Sequence, residues 1–344
     1  MSFDPSAAAQ PGSGIFGLPH SATEAALLLV PVPFEATTSY GGGTAGGPEA
    51  ILSASRQVDL FDVETGRPYE AGIHQLPIPE AIAALDRAAR AAAAPIIEAG
   101  GSDGSPAHAR ALAEVNQACE RMNAWVEAQV EEGLARGQVV GLVGGDHSTA
   151  LGSLAAHARR YPGMGVIHVD AHADLRVAYE GFTYSHASIL YNACERLSGL
   201  SRLVQVGLRD LSEEEHAYAA ASRGRIVQLH DAELARGQLE GERWSAQVER
   251  ILAPLPQDVY VTFDIDGLDP ALCPHTGTPV PGGLSYQQAT YLVGAVVRSG
   301  RRLVGFDLVE VAPSPDGGEW DGNVGARLLY KLCGWALQSR AARR

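Results

Sequence analysis

The stretch Gly165-Val166-Ile167-His168-Val169-Asp170-Ala171-His172-Ala173-Asp174 joins a short run of strand character to three metal-capable side chains spaced two apart. In extended backbone, residues two apart point to the same side, so Asp170, His172 and Asp174 can converge. Two other segments repeat the arrangement. Val139 to Val143 leads into Gly144-Gly145-Asp146-His147-Ser148, and Val259 to Phe263 leads into Asp264-Ile265-Asp266-Gly267-Leu268-Asp269-Pro270. Leu27 to Val32, Leu203 to Val206, Ile226 to Leu229 and Leu303 to Leu308 are further runs of this kind. They are continuously apolar and separated by helix-length segments, the pattern of parallel strands covered on both faces, so the expected fold class is α/β. Open α/β sheets keep their ligand crevices at the carboxyl ends of strands, where all three acidic segments fall.

Between these runs, Gly47-Pro48-Glu49-Ala50 signals a helix entry, and Ser148, Ser185 and Ser285 are candidate caps. Glu80 to Ala94 and Ala107 to about Gly133 read as helical, with a Gly/Ser loop between them, so residues 80–133 form an insertion or a long helical hairpin. Residues 1–20, rich in Ala, Pro, Gly and Ser without periodicity, read as an N-terminal arm that lies over a neighbouring subunit. Residues 21–344 read as a single catalytic domain, since no internal repeat or linker divides them.

Charge and composition remove several functions. Among 344 residues, 26 Lys and Arg stand against 40 Asp and Glu, a net charge of −14 that repels phosphate backbones and anionic membranes. No apolar run approaches the roughly 20 residues needed to span a bilayer, and no basic region precedes an apolar core as in a signal peptide. Cys119, Cys194, Cys273 and Cys333 form no CxxC pair, which argues against disulfides and thiolate zinc sites and fits a reducing cytoplasm. The expectation is a cytoplasmic protein without nucleic-acid or membrane partners.

Acids brought together need cations. Two unit charges ~4 Å apart repel by roughly 4 kcal/mol at an effective dielectric near 20. Two divalent ions roughly cancel four carboxylates. Imidazole mixed with carboxylate and no thiolate points to Mn, Fe, Co, Ni or Zn, with Mn2+ the expected ion and Ni2+ the alternative. Asp170 and Asp264 are the natural bridging carboxylates; His147 and Asp174 complete one site, His172 and Asp266 the other. Alone, the DxHxD run has the alternative of a solvated loop, Asp264 to Pro270 that of a turn, and GGDHS is a weak signal; three together at strand ends leave little room for these readings.

The sequences GGDHS, DAHADL, SHAS and FDIDGLDPALCPHTGTPVPGGLS resemble the signatures of the ureohydrolase family of arginases and agmatinases. The resemblance extends to Thr37-Thr38-Ser39-Tyr40 with Gly47-Pro48-Glu49-Ala50-Ile51, to Gly207-Leu208-Arg209-Asp210, and to Asp307-Leu308-Val309-Glu310-Val311, and so covers most of the chain. It implies a three-layer α/β/α sandwich around a mainly parallel eight-stranded sheet, a binuclear Mn site and cleavage of a guanidino group to an amine plus urea. All six of the family's ligand positions are occupied, by His147, Asp170, His172, Asp174, Asp264 and Asp266. The family's catalytic His matches His186 and its guanidinium-binding Glu matches Glu310. Family members are commonly trimers or hexamers, so a homo-oligomer is expected.

Guanidinium is a poor electrophile, so a pair of metal ions is expected to activate the attacking water, with Asp174 counted among the catalytic groups as a ligand. Glu310 would hold the guanidinium by a two-point bond, and His186 would pass a proton to the amine leaving group. Asp146 is expected to orient its neighbours. Substrate identity rests on residues 176–184, with Arg176, Glu180 and Tyr184 as candidate contacts. Arginases carry Asn at the position of Arg176, and SHAS is closer to the SHGT of agmatinase-type sequences. Agmatine or an extended derivative is therefore expected, its distal cation meeting Glu180. Arg176 favours a guanidino acid instead. Arginine, free guanidine, a noncatalytic scaffold subunit and a one-metal deacetylase-like amidohydrolase are the remaining alternatives. Gly41 to Gly46 fits GxGxxG but starts well after its strand, and Gly100 to Gly104 fits GxSxG without one, so neither is read as a site. Cys273 is read as packing.

Overall fold

A computed structural model describes residues 3–10 and 12–341. Its strands are β1 (Leu27–Pro31), β2 (Ile73–Gln75), β3 (Val139–Val143), β4 (Met164–Val169), β5 (Leu200–Leu208), β6 (Ile226–His230), β7 (Asp258–Asp264) and β8 (Arg302–Val309). The helices are α1 (Gly47–Ser55), α2 (Glu80–Glu98), α3 (Pro106–Ala135), α4 (Ala150–Arg160), α5 (Ile189–Arg196), α6 (Glu213–Ala221), α7 (Asp231–Leu239), α8 (Trp244–Leu252), α9 (Tyr286–Arg298) and α10 (Trp320–Ala341). All strands join one sheet in the order β2-β1-β3-β8-β7-β4-β5-β6, with every neighbouring pair parallel.

The strand sequences are apolar on both faces because both faces are covered. In β7, Val259, Val261 and Phe263 pack into one core with Ile51 of α1, Leu292 of α9 and Leu328 of α10. Tyr260 points the other way, into a second core with Val115 and Met122 of α3, Leu154 of α4 and Ile189 of α5. Period-two alternation thus feeds two helical layers, giving the expected α/β/α sandwich. The α2/α3 hairpin expected at 80–133 belongs to the second layer, with Pro106 in the first turn of α3 and the Ser105 side chain accepting from His108 N.

Two features depart from the sequence expectation. Strand β2 is three residues long at a sheet edge, too short for its apolar spacing to register. The end of the expected N-terminal arm is a core element of this same chain. Ile15, Phe16 and Leu18 are buried, Phe16 packs against Tyr330 with ring centroids 4.7 Å apart, and its N–H donates to Ser55 Oγ at 2.9 Å. Three apolar residues without a period carry no pattern in the sequence, but they suffice to plug the end of a core.

Within α4, His157 is fully buried; its Nδ1 lies 2.8 Å from Ser153 O and its Nε2 has no partner. Burial pushes its pKa down to about 4 from 6.5. The unfolded chain therefore binds this proton at a higher pH than the folded chain. The resulting stability is present above about pH 6.5 and is lost as pH falls toward 4, by roughly 3 kcal/mol at most. His157→Gln should flatten that part of the pH dependence in denaturant unfolding between pH 7.5 and 4.5. An unchanged slope would refute the assignment.

Candidate metal centre

The centre is built by four neighbouring strands in the middle of the sheet, β3, β8, β7 and β4, whose carboxyl ends deliver His147, Glu310, Asp264 and Asp170. Each exit is shaped locally. Asp146 caps the turn His147–Thr149 by accepting from Ser148 N, and its other oxygen lies 3.3 Å from the hydroxyls of Thr37 and Thr38, the orienting role expected of it. Gly145 is required by close approach, because a Cβ there would sit 2.0 Å from Phe34 O. Asp264 caps the next turn, accepting from Asp266 N at 2.8 Å. Asp174 and Glu310 hold left-handed backbone at φ 53° and 64°. Such conformations are costly for non-glycine residues and concentrate at functional sites.

The expected ligand residues converge. His147 Nδ1 lies 3.1 Å from Asp170 Oδ2, 3.1 Å from Asp174 Oδ2 and 3.3 Å from Asp264 Oδ2. His172 Nδ1 lies 3.0 Å from Asp266 Oδ2 and 3.4 Å from Asp170 Oδ1. The two oxygens of Asp170 thus face different imidazoles. Asp170 belongs to both groups of metal-capable atoms in the described residues, one with His147, His168 and Asp174, the other with His172 and Asp266.

The hydrogen bonds behind His147 test whether these residues fit metal ions. Asp307 Oδ1 accepts from Phe263 N at 3.2 Å and lies 2.7 Å from Thr262 Oγ1, so the Thr262 hydroxyl donates to it. Thr262 Oγ1 then accepts from His147 Nε2 at 2.8 Å. With the Nε2 proton so placed, Nδ1 faces three carboxylate oxygens. One N–H cannot point at three acceptors, whereas a divalent ion can be shared by all of them.

The electrostatics of these side chains agree. Burial alone would lower the His147 pKa, but bonds to Asp170, Asp174 and Asp264 outweigh it and hold the imidazole well above its usual range. Burial likewise would lower His172, but the Asp266 charge and bonds to Asp170 and Asp266 overcome it and raise the pKa to about 12. Burial, then the Asp170 charge, raises Asp174 to about 6, and burial with Asp266 and Asp170 pushes Asp264 up further. The cluster recruits positive charge wherever it can.

Beside it, Glu310 Oε1 accepts from His147 N at 2.8 Å and lies 3.8 Å from His186 Nδ1. Among the described residues no Lys or Arg pairs with Glu310, so the structural salt bridge that such a buried acid would otherwise serve is not what it makes. Burial and the Asp146 charge raise its pKa. His186 N donates to Thr37 Oγ1 at 3.1 Å, and its Nε2 is buried without a partner. Burial, then the charges of His172 and His147, lower its pKa to about 3. His186 is therefore neutral at pH 7, whereas the sequence reading expected it to titrate near neutrality.

A cavity of about 210 Å³ opens over the cluster, lined among others by His172, Asp174, Arg176, Tyr179, His186 and Glu215. That size suits a small molecule rather than a dinucleotide. The substrate candidates divide. Arg176 lies in the wall, its Nε 3.6 Å from Glu215 Oε2 and its guanidinium 4.9 Å from the centre of the Tyr179 ring. Tyr184 is not in the wall: its hydroxyl donates to Glu120 Oε1 at 3.1 Å and accepts from Arg196 at 2.6 Å, which fastens it between α3 and α5. Glu180 is also outside it; its carbonyl accepts from Ser102 N, and its buried Oε2 lacks a partner. Glu215 was missed because its place, three residues into a helix, marks it as the capping-box acid that it also is. His168 was missed because it sits inside a strand.

A parallel sheet whose central strands end in imidazoles and carboxylates at this density defines a metal-dependent hydrolase of the three-layer α/β/α class. The chain belongs to the arginase family, whose model matches residues 25–334. It is 34% identical over 313 residues to the N(1)-aminopropylagmatine ureohydrolase of Thermus thermophilus, covering 90% of each chain. It is also 34% identical over 212 residues to the agmatinase of Halalkalibacterium halodurans, covering 61% of this chain and 68% of that one. Its fold resembles that of the proclavaminate amidino hydrolase from Streptomyces clavuligerus, with TM-score 0.75 and 22% identity over 97% of this chain and 100% of that one.

Since ion binding to the native state alone stabilises it, Mn2+ at about 100 Kd should add roughly 3 kcal/mol. For a chain of this size that is several degrees of Tm, lost on adding a chelator and recovered on restoring Mn2+. A melting temperature indifferent to both treatments would count against the centre.

Proposed function

We propose that the protein is a binuclear-metal ureohydrolase that cleaves the guanidino group of agmatine or an aminopropyl derivative of it to an amine plus urea. The observation that carries this reading is the Asp170 carboxylate, whose two oxygens face separate imidazoles, with Glu310 beside them and no described Lys or Arg paired to it. His147, Asp174 and Asp264 would hold one ion with Asp170, and His172 and Asp266 the other, with Asp264 a second bridge. Mn2+ fits the oxygen-rich set best and Ni2+ next. Bound there, the ions would supply Lewis acidity and a strongly acidified water at neutral pH.

The chain's own residues supply the rest. Glu310 binds the planar guanidinium through its carboxylate and sets the carbon over the cluster. Neutral His186, with Nε2 free in the cavity wall, takes up a proton and returns it to the amine leaving group. The wall favours a cationic tail: Asp174, Asp210 and Glu215 line it, and the one guanidinium among the wall's residues, Arg176, is held against Glu215 and Tyr179. Similarity to an N(1)-aminopropylagmatine ureohydrolase and an agmatinase supports the same substrate class. The catalytic unit is assigned to residues 21–344, with buried Ile15, Phe16 and Leu18 packed into its core, active as a homo-oligomer, trimer or hexamer, in the cytoplasm. Buried free thiols at all four cysteines suit that compartment. Among the described residues no helix is long and apolar enough to cross a membrane.

Urea release should be greatest with agmatine or aminopropylagmatine in a panel that includes arginine, guanidino acids and free guanidine. Preference for a guanidino acid would hand the specificity role to Arg176 and overturn the cationic reading. His186→Ala should lower kcat by roughly 100-fold or more with both ions retained. Asp170→Ala should lose metal first. Glu310→Gln should cut kcat/KM by about 10- to 100-fold while ion content holds, as expected for a lost charge-assisted bond. Equal metal loss in all three would erase the distinction between these roles.

A further inference from the structure

The sheet carries one more feature beneath the centre. In the pairing register, Asp307 of β8 faces Thr262 of β7, Thr262 faces His168 of β4, His168 faces Gln205 of β5, and Gln205 faces Gln228 of β6. These five side chains form a polar row across five adjacent strands. They share the face that carries Val166, Leu203 and Tyr260, which is otherwise an apolar core under α3 and α4. Asp307, Thr262, His168 and Gln205 are wholly buried. Polar side chains at such depth are costly unless each is satisfied, and these are linked nearly end to end.

The direction of the bonds is fixed by an acceptor that has no alternative. Gln205 Nε2 lies 2.6 Å from Ala173 O, and a carbonyl can only accept, so the amide cannot be flipped. Its second N–H points at His168 Nδ1, 2.9 Å away, while its Oε1 accepts from Gln228 Nε2 at 3.0 Å. His168 Nδ1 is therefore an acceptor, its proton lies on Nε2, and Nε2 donates to Asp170 Oδ2 at 2.7 Å. An imidazole in this state offers no lone pair to an ion, although its nitrogen lies among the metal-capable atoms. On the other side of the row, Asp307 and Thr262 fix the same Nε2–H tautomer for His147, but its ring is turned the other way, so that the Nδ1 lone pair faces the cluster.

We propose that this row is a positioning device. Gln228, Gln205 and His168 saturate one lone pair of Asp170 Oδ2, so that the carboxylate is turned to bridge the two imidazole sites, and His168 is a buttress rather than a ligand. The proposal rests on the metal-centre reading above. It adds that residues on β5 and β6, beyond the ligand-bearing strands, set the geometry of the shared carboxylate.

Three variants and one spectroscopic signature test it. Gln205→Met removes the donor to His168 with little change of shape, His168→Leu removes the bond to Asp170, and His168→Gln can replace the Nε2 donor with an amide nitrogen. Mn2+ affinity by chelator competition should fall roughly 10- to 100-fold in the first two and be largely restored in the third. The melting temperatures of the ion-free variants should stay near that of the ion-free wild type, which separates positioning from folding. Wild-type affinity in folded Gln205→Met and His168→Leu overturns the proposal. Histidine 15N NMR on the wild type should show His168 protonated at Nε2 only, and a proton on Nδ1 overturns it as well. A wild type that takes up no ion refutes the metal-centre reading by itself; the NMR signature then judges the row alone.

Discussion

Everything at the centre follows from placing buried carboxylates at the ends of adjacent parallel strands. Asp170 and Asp264 leave β4 and β7, which are hydrogen-bonded neighbours, and Asp174 and Asp266 follow in the turns beyond. Their charges cannot be diluted by water at that depth, so the protein must hold them with positive charge or with protons. The sheet makes the concentration possible because its backbone hydrogen bonds are already satisfied at these strands, leaving the exits free to be shaped by caps and close approaches. Gly267 shows how tight this is: a Cβ there would lie 2.8 Å from Asp170 N.

The same constraint reaches outward. Asp146 sits behind the cluster, and burial raises its pKa to about 7 despite its bonds to Ser148. Thr37 links Asp146 to the backbone N–H of His186, so the loop after β1 is tied to the segment that carries this imidazole. A rigid floor and its supports thus come from strands and turns. The wall comes from the segment after β4 and from the start of α6, where exposure leaves room for side chains to differ without disturbing the floor.

Much of this was legible in the sequence because the decisive signals are local. An apolar run followed by acids two apart fixes a strand, its exit and the side to which the acids point, and the DAHAD and DID segments each satisfy that within a few residues. Resemblance to a family added His186 and Glu310, which no spacing rule selects. What was not legible depends on register or on distant partners. Tyr184 lies two residues from His186 in the chain, yet Arg196 and Glu120 draw it away from the cavity. His168, Gln205, Gln228, Thr262 and Asp307 contribute one residue per strand. Each alone is a polar interruption in an apolar run; only the alignment of five strands makes them a row.

Specificity can be argued from charge. On the proposed reading, a guanidinium at Glu310 would bring one positive charge to a cluster already balanced by ions, so a second cation at the other end of the substrate would have to be met by the wall. Arg176 would oppose it, but Glu215 and the face of Tyr179 engage that guanidinium first. Asp210 also lines the wall, and no described Lys or Arg lies within ion-pair distance of it. The wall is then net acidic toward a ligand, and a carboxylate-tailed substrate would have to displace Glu215 from Arg176 to gain its own bond. Breaking that partly buried contact subtracts from whatever the new one supplies. An amine-tailed substrate would need no such exchange, so on the proposed reading the arrangement of the wall weighs more than the presence of an arginine in it.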